Sequence, residues 1–194
     1  MSVITDFLTK WETVQLQGYI PCKKHNFTGL NKFSDCGPVI ASSGVTIGTG
    51  VDLGQQSEDG LLGMGVPAVL IEKFAPYLGR SKIAAVEALQ AAPIRITERE
   101  CKQLNEAVRV AYVNQARRRF NEASSTSFDD IPEEAQAVIV SLGYQLGAPS
   151  KYPTTWKFLI NCDWSGAVWE LEHGFKNYAN RRADEAALLR KIKR

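Results

Sequence analysis

The sequence predicts an α+β fold with segregated elements. It is predominantly helical, with a small N-terminal β-sheet lobe joined by a long helix to an all-helical C-terminal lobe. Three observations predict it. Short β-prone pieces broken by Gly, Pro, Asn and Ser are confined to residues 18–54. Apolar residues recur at helical spacing through the C-terminal half. Between these regions, Thr97-Glu98-Arg99-Glu100 is a capping box that opens a helix to about Ala123. At 1.5 Å per residue that helix is roughly 39 Å long, the length of a bridge between lobes. Residues 1–194 then form one domain. It comprises a β-containing lobe over 18–96, a connecting helix over 97–123 and a helical lobe over 124–194, with a helix over 5–17 packing near the cleft.

Each element has its own local reason. Phe7, Trp11 and Val14 share one face of the first helix, as do Leu8, Glu12 and Leu16, and Gly18 is its expected end. Lys23 to Ser42 reads as a long loop. Pro67 starts a helix to about Tyr77, and Ser81 caps one through Ala91. Pro132 opens a helix whose apolar residues include Ala135, Val138, Ile139, Leu142 and Leu146, closed by Gly147. Tyr152 to Ile160 follows. Asp163 caps the next helix, which ends at Gly174, and Asn177 caps a last one to about Lys193.

Composition excludes several classes. Hydrophobic content of 44% with 23% charged residues is the profile of a soluble globular protein. No apolar run approaches the roughly 20 residues of a membrane helix, so no membrane insertion is expected. The start Met-Ser-Val-Ile-Thr-Asp-Phe lacks the features of a secretory signal. A net charge of +2 gives no global basic field, so no nucleic-acid partner is expected. Arg117-Arg118-Arg119 and the basic C-terminus read as solvated helix faces. Cys22, Cys36, Cys101 and Cys162 permit three disulfide pairings, and nothing in their spacing selects one. Cys22-Lys-Lys-His25 with Cys36 fits zinc-ligand spacing only loosely, so neither metal nor cofactor is expected.

The chemistry-bearing stretch is Ser43 to Gly54. As a strand it carries Val45, Ile47, Thr49 and Val51 on one face, and Thr46, Gly48, Gly50 and Asp52 on the other. Gly48 and Gly50 leave a bare track suited to a bound molecule. A straight strand would hold Thr46 and Asp52 roughly 20 Å apart. Glycine permits the turn or bulge that would bring them together. An ordinary Gly-rich turn is the competing reading.

Glu12, between Leu8 and Leu16 on its helix, would lose hydration if that face were covered. Its pKa would then rise and suit a general acid. Otherwise it is a surface glutamate. Asp52, among glycines, is expected to be exposed and ionised. Two carboxyls in unlike environments form the acid/base pattern of a glycoside hydrolase. Asp35 competes for the second place, and Asp52 could simply form a turn with its own backbone. The Thr46 hydroxyl could help hold a water, or Thr46 could be only a β-prone residue.

These residues resemble the pesticin-type muramidases, relatives of the phage-type lysozymes. The resemblance rests on Glu12 with Gly18-Tyr19-Ile20-Pro21 and on the signature from Ser43 to Gly54. It rests also on Ala137 to Gly147, Trp156, Asp163-Trp164 and Tyr178 to Ala186. It implies a lysozyme-like fold and hydrolysis of the β-1,4 bond between N-acetylmuramic acid and N-acetylglucosamine. Glu12, Thr46 and Asp52 would be catalytic, and Gly48, Gly50 and Tyr19 would touch substrate. The segment from Pro21 to Ser43 is longer than the family's pattern, and Asp52 follows the threonine where phage enzymes place an aspartate before it. Asp35 therefore stays open. So do a lytic transglycosylase using Glu12 alone, a non-catalytic glycan-binding module, and a structural or interaction protein. The expected partners are peptidoglycan glycan strands and an immunity or inhibitor protein. The expected route is cytoplasmic synthesis with separate delivery to a bacterial periplasm or wall, where the role is lytic or antibacterial.

Overall fold

The computed structural model describes residues 3–11 and 14–192. The chain divides into two compact units, residues 1–11 with 111–194, and residues 12–110. The order of elements is α1 (Val3–Trp11), β1 (Gln15–Tyr19), α2 (Phe33–Cys36), β2 (Thr46–Gly48), β3 (Val51–Asp52), α3 (Glu58–Gly63), α4 (Ala68–Phe74), α5 (Lys82–Ala91), α6 (Glu98–Ala123), α7 (Glu133–Leu146), α8 (Pro153–Ile160), α9 (Trp164–His173) and α10 (Ala179–Leu189). The molecule is mostly helical with one three-stranded antiparallel sheet in the order β1-β2-β3. No helix among the described residues is long and apolar enough to cross a membrane.

The N-terminal unit holds the sheet. Its buried side chains include Ile20, Phe27, Val45, Ile47, Leu53, Leu61, Phe74, Leu89, Ile96 and Leu104. The long segment between β1 and β2 is tied down by short bridges, Ile20 with Phe27 and Cys22 with Val39. The expected helix over 5–17 is corrected: α1 ends at Trp11, and Gln15, Leu16 and Gln17 lie in β1. Pairing decides this, because β1 finds a partner in β2, with Tyr19 opposite Thr46. Gly18 is therefore a strand residue, not a helix stop. It donates to the carbonyl of Ile94 at 2.9 Å, and a Cβ there would lie 2.4 Å from the Ile94 side chain. The capping box forms: Thr97 N–H donates to Glu100 Oε2 at 2.7 Å and Glu100 N–H to Thr97 Oγ1 at 3.2 Å. The short helices α2 and α3 were not expected. Ser57 caps α3 by accepting from Gly60 N–H at 3.1 Å.

The C-terminal unit is all helix. Its core centres on α7, which buries Ala135, Ala137, Val138, Ile139, Val140, Ser141 and Leu142 against neighbours that include Phe7, Phe120, Leu159 and Leu171. The ring of Phe120 meets Phe128 and Trp156 edge-on. Gly147 ends α7 at a φ of 86°, and Asp163 caps α9 by accepting from Gly166 N–H at 2.9 Å. Asn177 does not cap the last helix. Tyr178 holds that place in a left-handed conformation with φ of 62°, and α10 closes at Leu189.

Under these helices lies an ionic cluster that hydropathy gave no reason to expect. Glu185 is fully buried beside Arg182, which is 1% exposed. Arg182 Nε lies 3.0 Å from Glu185 Oε2, and Ser141 donates to Glu185 Oε1 at 2.6 Å. Among the described residues, Arg182 Nε and Nη1 and Glu185 Oε2 have no partner in hydrogen-bond geometry. Arg182 Nη2 donates to Glu185 Oε1 at 3.0 Å, so one hydrogen bond joins the pair and the remaining attraction is between charges.

Candidate functional site

The stretch from Ser43 to Gly54 is a tight hairpin, not a straight strand. Thr46 pairs directly with Asp52, and Ile47 with Val51. The turn runs through Gly48 (φ 65°) and Gly50 (φ 88°), values that favour glycine. Directly opposed residues share a face, with Cβ atoms about 4.5–5.5 Å apart. The reach problem posed by the sequence is thereby resolved. Because Tyr19 pairs with Thr46 on the other side, Tyr19, Thr46 and Asp52 form one row across three strands. Tyr19, which the resemblance implies would touch substrate, is distant from the hairpin in sequence, and strand pairing is what sets it in this row.

Asp52 is not the exposed, freely solvated carboxylate expected from its glycine neighbours. It is half-buried. Its Oδ1 accepts from Gly44 N–H at 3.0 Å and Gly54 N–H at 2.9 Å, and Oδ2 lies 3.2 Å from the same Gly44 nitrogen. The two glycines press together to make this possible: a Cβ on Gly44 would come within 2.6 Å of Gly54 Cα and 2.4 Å of the Arg80 carbonyl oxygen. Burial pushes the carboxyl pKa up, and the backbone N–H groups of Gly44, Gly54 and Gln55 oppose it more weakly. Thr46, 5% exposed, donates to the Gly44 carbonyl at a long 3.4 Å.

The bare track is partly filled by the protein itself. Gly48 is buried, and a Cβ on it would lie 2.7 Å from Asn105 Oδ1 and 3.2 Å from the Leu104 side chain. Asn105, on α6, thus takes the place against Gly48 that the sequence left for a ligand. Gly50 is exposed at the tip. Asn105 was missed because a single polar residue on a long helix gives no signal. Its significance appears only through bonds to Thr49.

Glu12 lies outside the described residues. Leu16, expected four residues after it on the same helix, lies in β1. Trp11, the residue before Glu12, lines a cavity of about 450 Å³ in the helical unit with Gln145, Tyr178, Asn180 and Arg181. Asp35 is exposed in α2 and accepts from the adjacent Ser34 hydroxyl at 3.0 Å, and it is not part of the row. Cys22 and Cys36 spend their thiols on the carbonyls of Ile20 and Lys32. All four cysteines are free.

A family model described as "Pesticin: Bacterial toxin homologue of phage lysozyme, C-term" matches residues 2–165 of the chain. The match includes the hairpin and Asp163-Trp164, and it stops short of Tyr178 to Ala186. Comparison with curated proteins gave no match.

Proposed function

Since the chain belongs to the pesticin family of bacterial toxin homologues of phage lysozyme, a muramidase-type group of cell-wall hydrolases, we propose that it cleaves peptidoglycan with Glu12 as general acid and Asp52 as base. The observation that carries this reading is the direct pairing of Thr46 with Asp52. A hydroxyl and a carboxylate opposed on one face can hold a single water between them. In the proposed step, Glu12 gives its proton to the glycosidic oxygen as the C1–O bond breaks. Asp52 takes a proton from the water that attacks C1 from the opposite side, with Thr46 orienting it. The anomeric centre inverts, and that geometry asks for carboxyl groups about 6.5–9.5 Å apart. Tyr19, next in the row, would border the sugar.

The test is release of reducing ends from purified peptidoglycan by the parent, Glu12→Gln and Asp52→Asn proteins, with product masses. Parent activity lost in both variants supports the reading. Lysis by Glu12→Gln overturns the acid assignment, and a retained anomer overturns the inverting mechanism.

A second reading has its own observation. The Asp52 carboxylate already holds two backbone amides, so it could serve only as a clamp. A lytic transglycosylase would then use Glu12 alone, with the sugar's own hydroxyl replacing water. Its product is an anhydro sugar, lighter than the hydrolysis product by one water.

Action on the wall requires delivery from the cytoplasm by a separate route, and producing cells would need an immunity or inhibitor protein. Expression with an added export signal should lyse cells, whereas the unmodified chain should not. Lysis by the unmodified chain would refute separate delivery.

A further inference from the structure

Asn105 of α6 makes the longest-range hydrogen bonds to the hairpin. Its Oδ1 accepts from Thr49 N–H at 3.1 Å and from the Thr49 hydroxyl at 3.0 Å. Its Nδ2 donates to the sulfur of Cys101, one helical turn earlier, at 3.3 Å. That arrangement fixes which way the amide points, since both Thr49 groups are donors here. The same side chain abuts Gly48, where no Cβ fits. Thr49 sits at the tip of the turn between Thr46 and Asp52.

The turn needs such a hold. Two residue pairs join β2 to β3, with one further bond below them from Leu53 N–H to the Val45 carbonyl at 2.8 Å, and a ladder that short is marginal by itself. Gly48 and Gly50 flank Thr49, and glycine samples more backbone conformations than any other residue. Left alone, the tip would spread over many conformations and loosen Thr46 against Asp52, which the Gly44 and Gly54 amides hold only from the base of the hairpin. The β1 pairing offers limited help, because its register is irregular between Gln15 and Tyr19.

We propose that Asn105 is a positioning residue for the reaction: by gripping both donors of Thr49, it locks the turn that sets Thr46 opposite Asp52. Asn105 does not touch the reacting atoms. It acts through backbone placement, and a displacement near 1 Å in such a pair lowers turnover by on the order of 100-fold. This inference rests on the muramidase reading above.

The test compares the parent with Asn105→Leu, which keeps the volume but accepts no hydrogen bond, and Asn105→Asp, which keeps the acceptor while losing the bond to Cys101 and gaining a negative charge. Turnover and KM are measured on soluble peptidoglycan fragments, well below each variant's thermal midpoint. The expected result is a drop in kcat of more than tenfold for Asn105→Leu, with KM within about threefold of the parent and kcat restored within threefold in Asn105→Asp. A folded Asn105→Leu protein with parental kcat overturns the proposal. So does a loss that follows only the unfolded fraction, or an Asn105→Asp protein as slow as Asn105→Leu. A parent that releases no product at all overturns the muramidase reading, and this inference with it.

Discussion

The carboxylate of Asp52 ties together Gly44 and Gly54, whose backbones otherwise meet face to face at the base of the hairpin. The proposed base is therefore also a structural clamp, and the two roles separate by substitution. Asp52→Asn keeps one oxygen able to accept from both amides, so its stability should stay within about 1 kcal/mol of the parent. If Asp52 is the base, its activity should fall by roughly 10²–10⁴-fold. Asp52→Ala should lose activity and also about 1–3 kcal/mol of stability, since two part-buried amides lose their acceptor. Urea denaturation beside the wall-release assay reads both. Full activity in Asp52→Asn would leave only the clamp.

Gly44 has no room for a side chain. Gly44→Ala places a Cβ 2.4 Å from the Arg80 carbonyl and 2.6 Å from Gly54 Cα, both backbone atoms that cannot swing aside. A cost of about 1–3 kcal/mol is expected, with activity falling as the Asp52 clamp shifts. Gly63→Ala is the control, because nothing lies within 4 Å of the added carbon. Equal midpoints for the two variants would contradict the close approach.

The pH dependence of turnover follows from Asp52. Burial raises its pKa, and the amides offset this only in part. A base must be ionised to act, so activity should fade on acidification at a higher pH than an ordinary aspartate would give. A pH–rate profile on soluble fragments measures this. An acid limb at or below the ordinary aspartate value of 3.8 would argue against Asp52 as the titrating base.

Glu185 makes stability depend on pH in the helical unit. Desolvation lifts its pKa from 4.5 to about 7, against the pull of Arg182, Ser141 and Arg181. A carboxyl whose folded pKa is raised favours folding in its protonated form. Its contribution is full below about 4.5 and is lost as pH rises through about 7. Urea midpoints should decline over that window in the parent, and less steeply in Glu185→Gln, which cannot ionise. Glu185→Ala should cost about 3–5 kcal/mol, because it removes the carboxylate that faces two buried guanidinium groups. A parallel slope in Glu185→Gln would show that another group carries the dependence.

Much of the helical architecture could be read locally. The Thr97–Glu100 box, Pro132, Gly147, Asp163 and Gly174 mark helix ends through side-chain hydrogen bonds, fixed φ or freedom from a Cβ, and these act within a turn of chain. The first helix was misjudged because Leu16 continues a helical pattern while β2 offers its backbone a better partner. A pattern within one segment carries no information about hydrogen bonds to another segment some thirty residues away.

The candidate site divides in the same way. By itself the sequence determined which groups are present: Glu12, Thr46, Asp52 and the glycines that allow a turn. Glycine's freedom is a property of the residue, so a bend between Thr46 and Asp52 could be expected. Tertiary structure alone decided that Tyr19 joins their row, that Asp52 is half-buried and anchored, and that Asn105 occupies the face of Gly48. Those outcomes depend on strand register, on desolvation by distant residues and on a helix more than fifty positions away. None of these leaves a trace in local spacing.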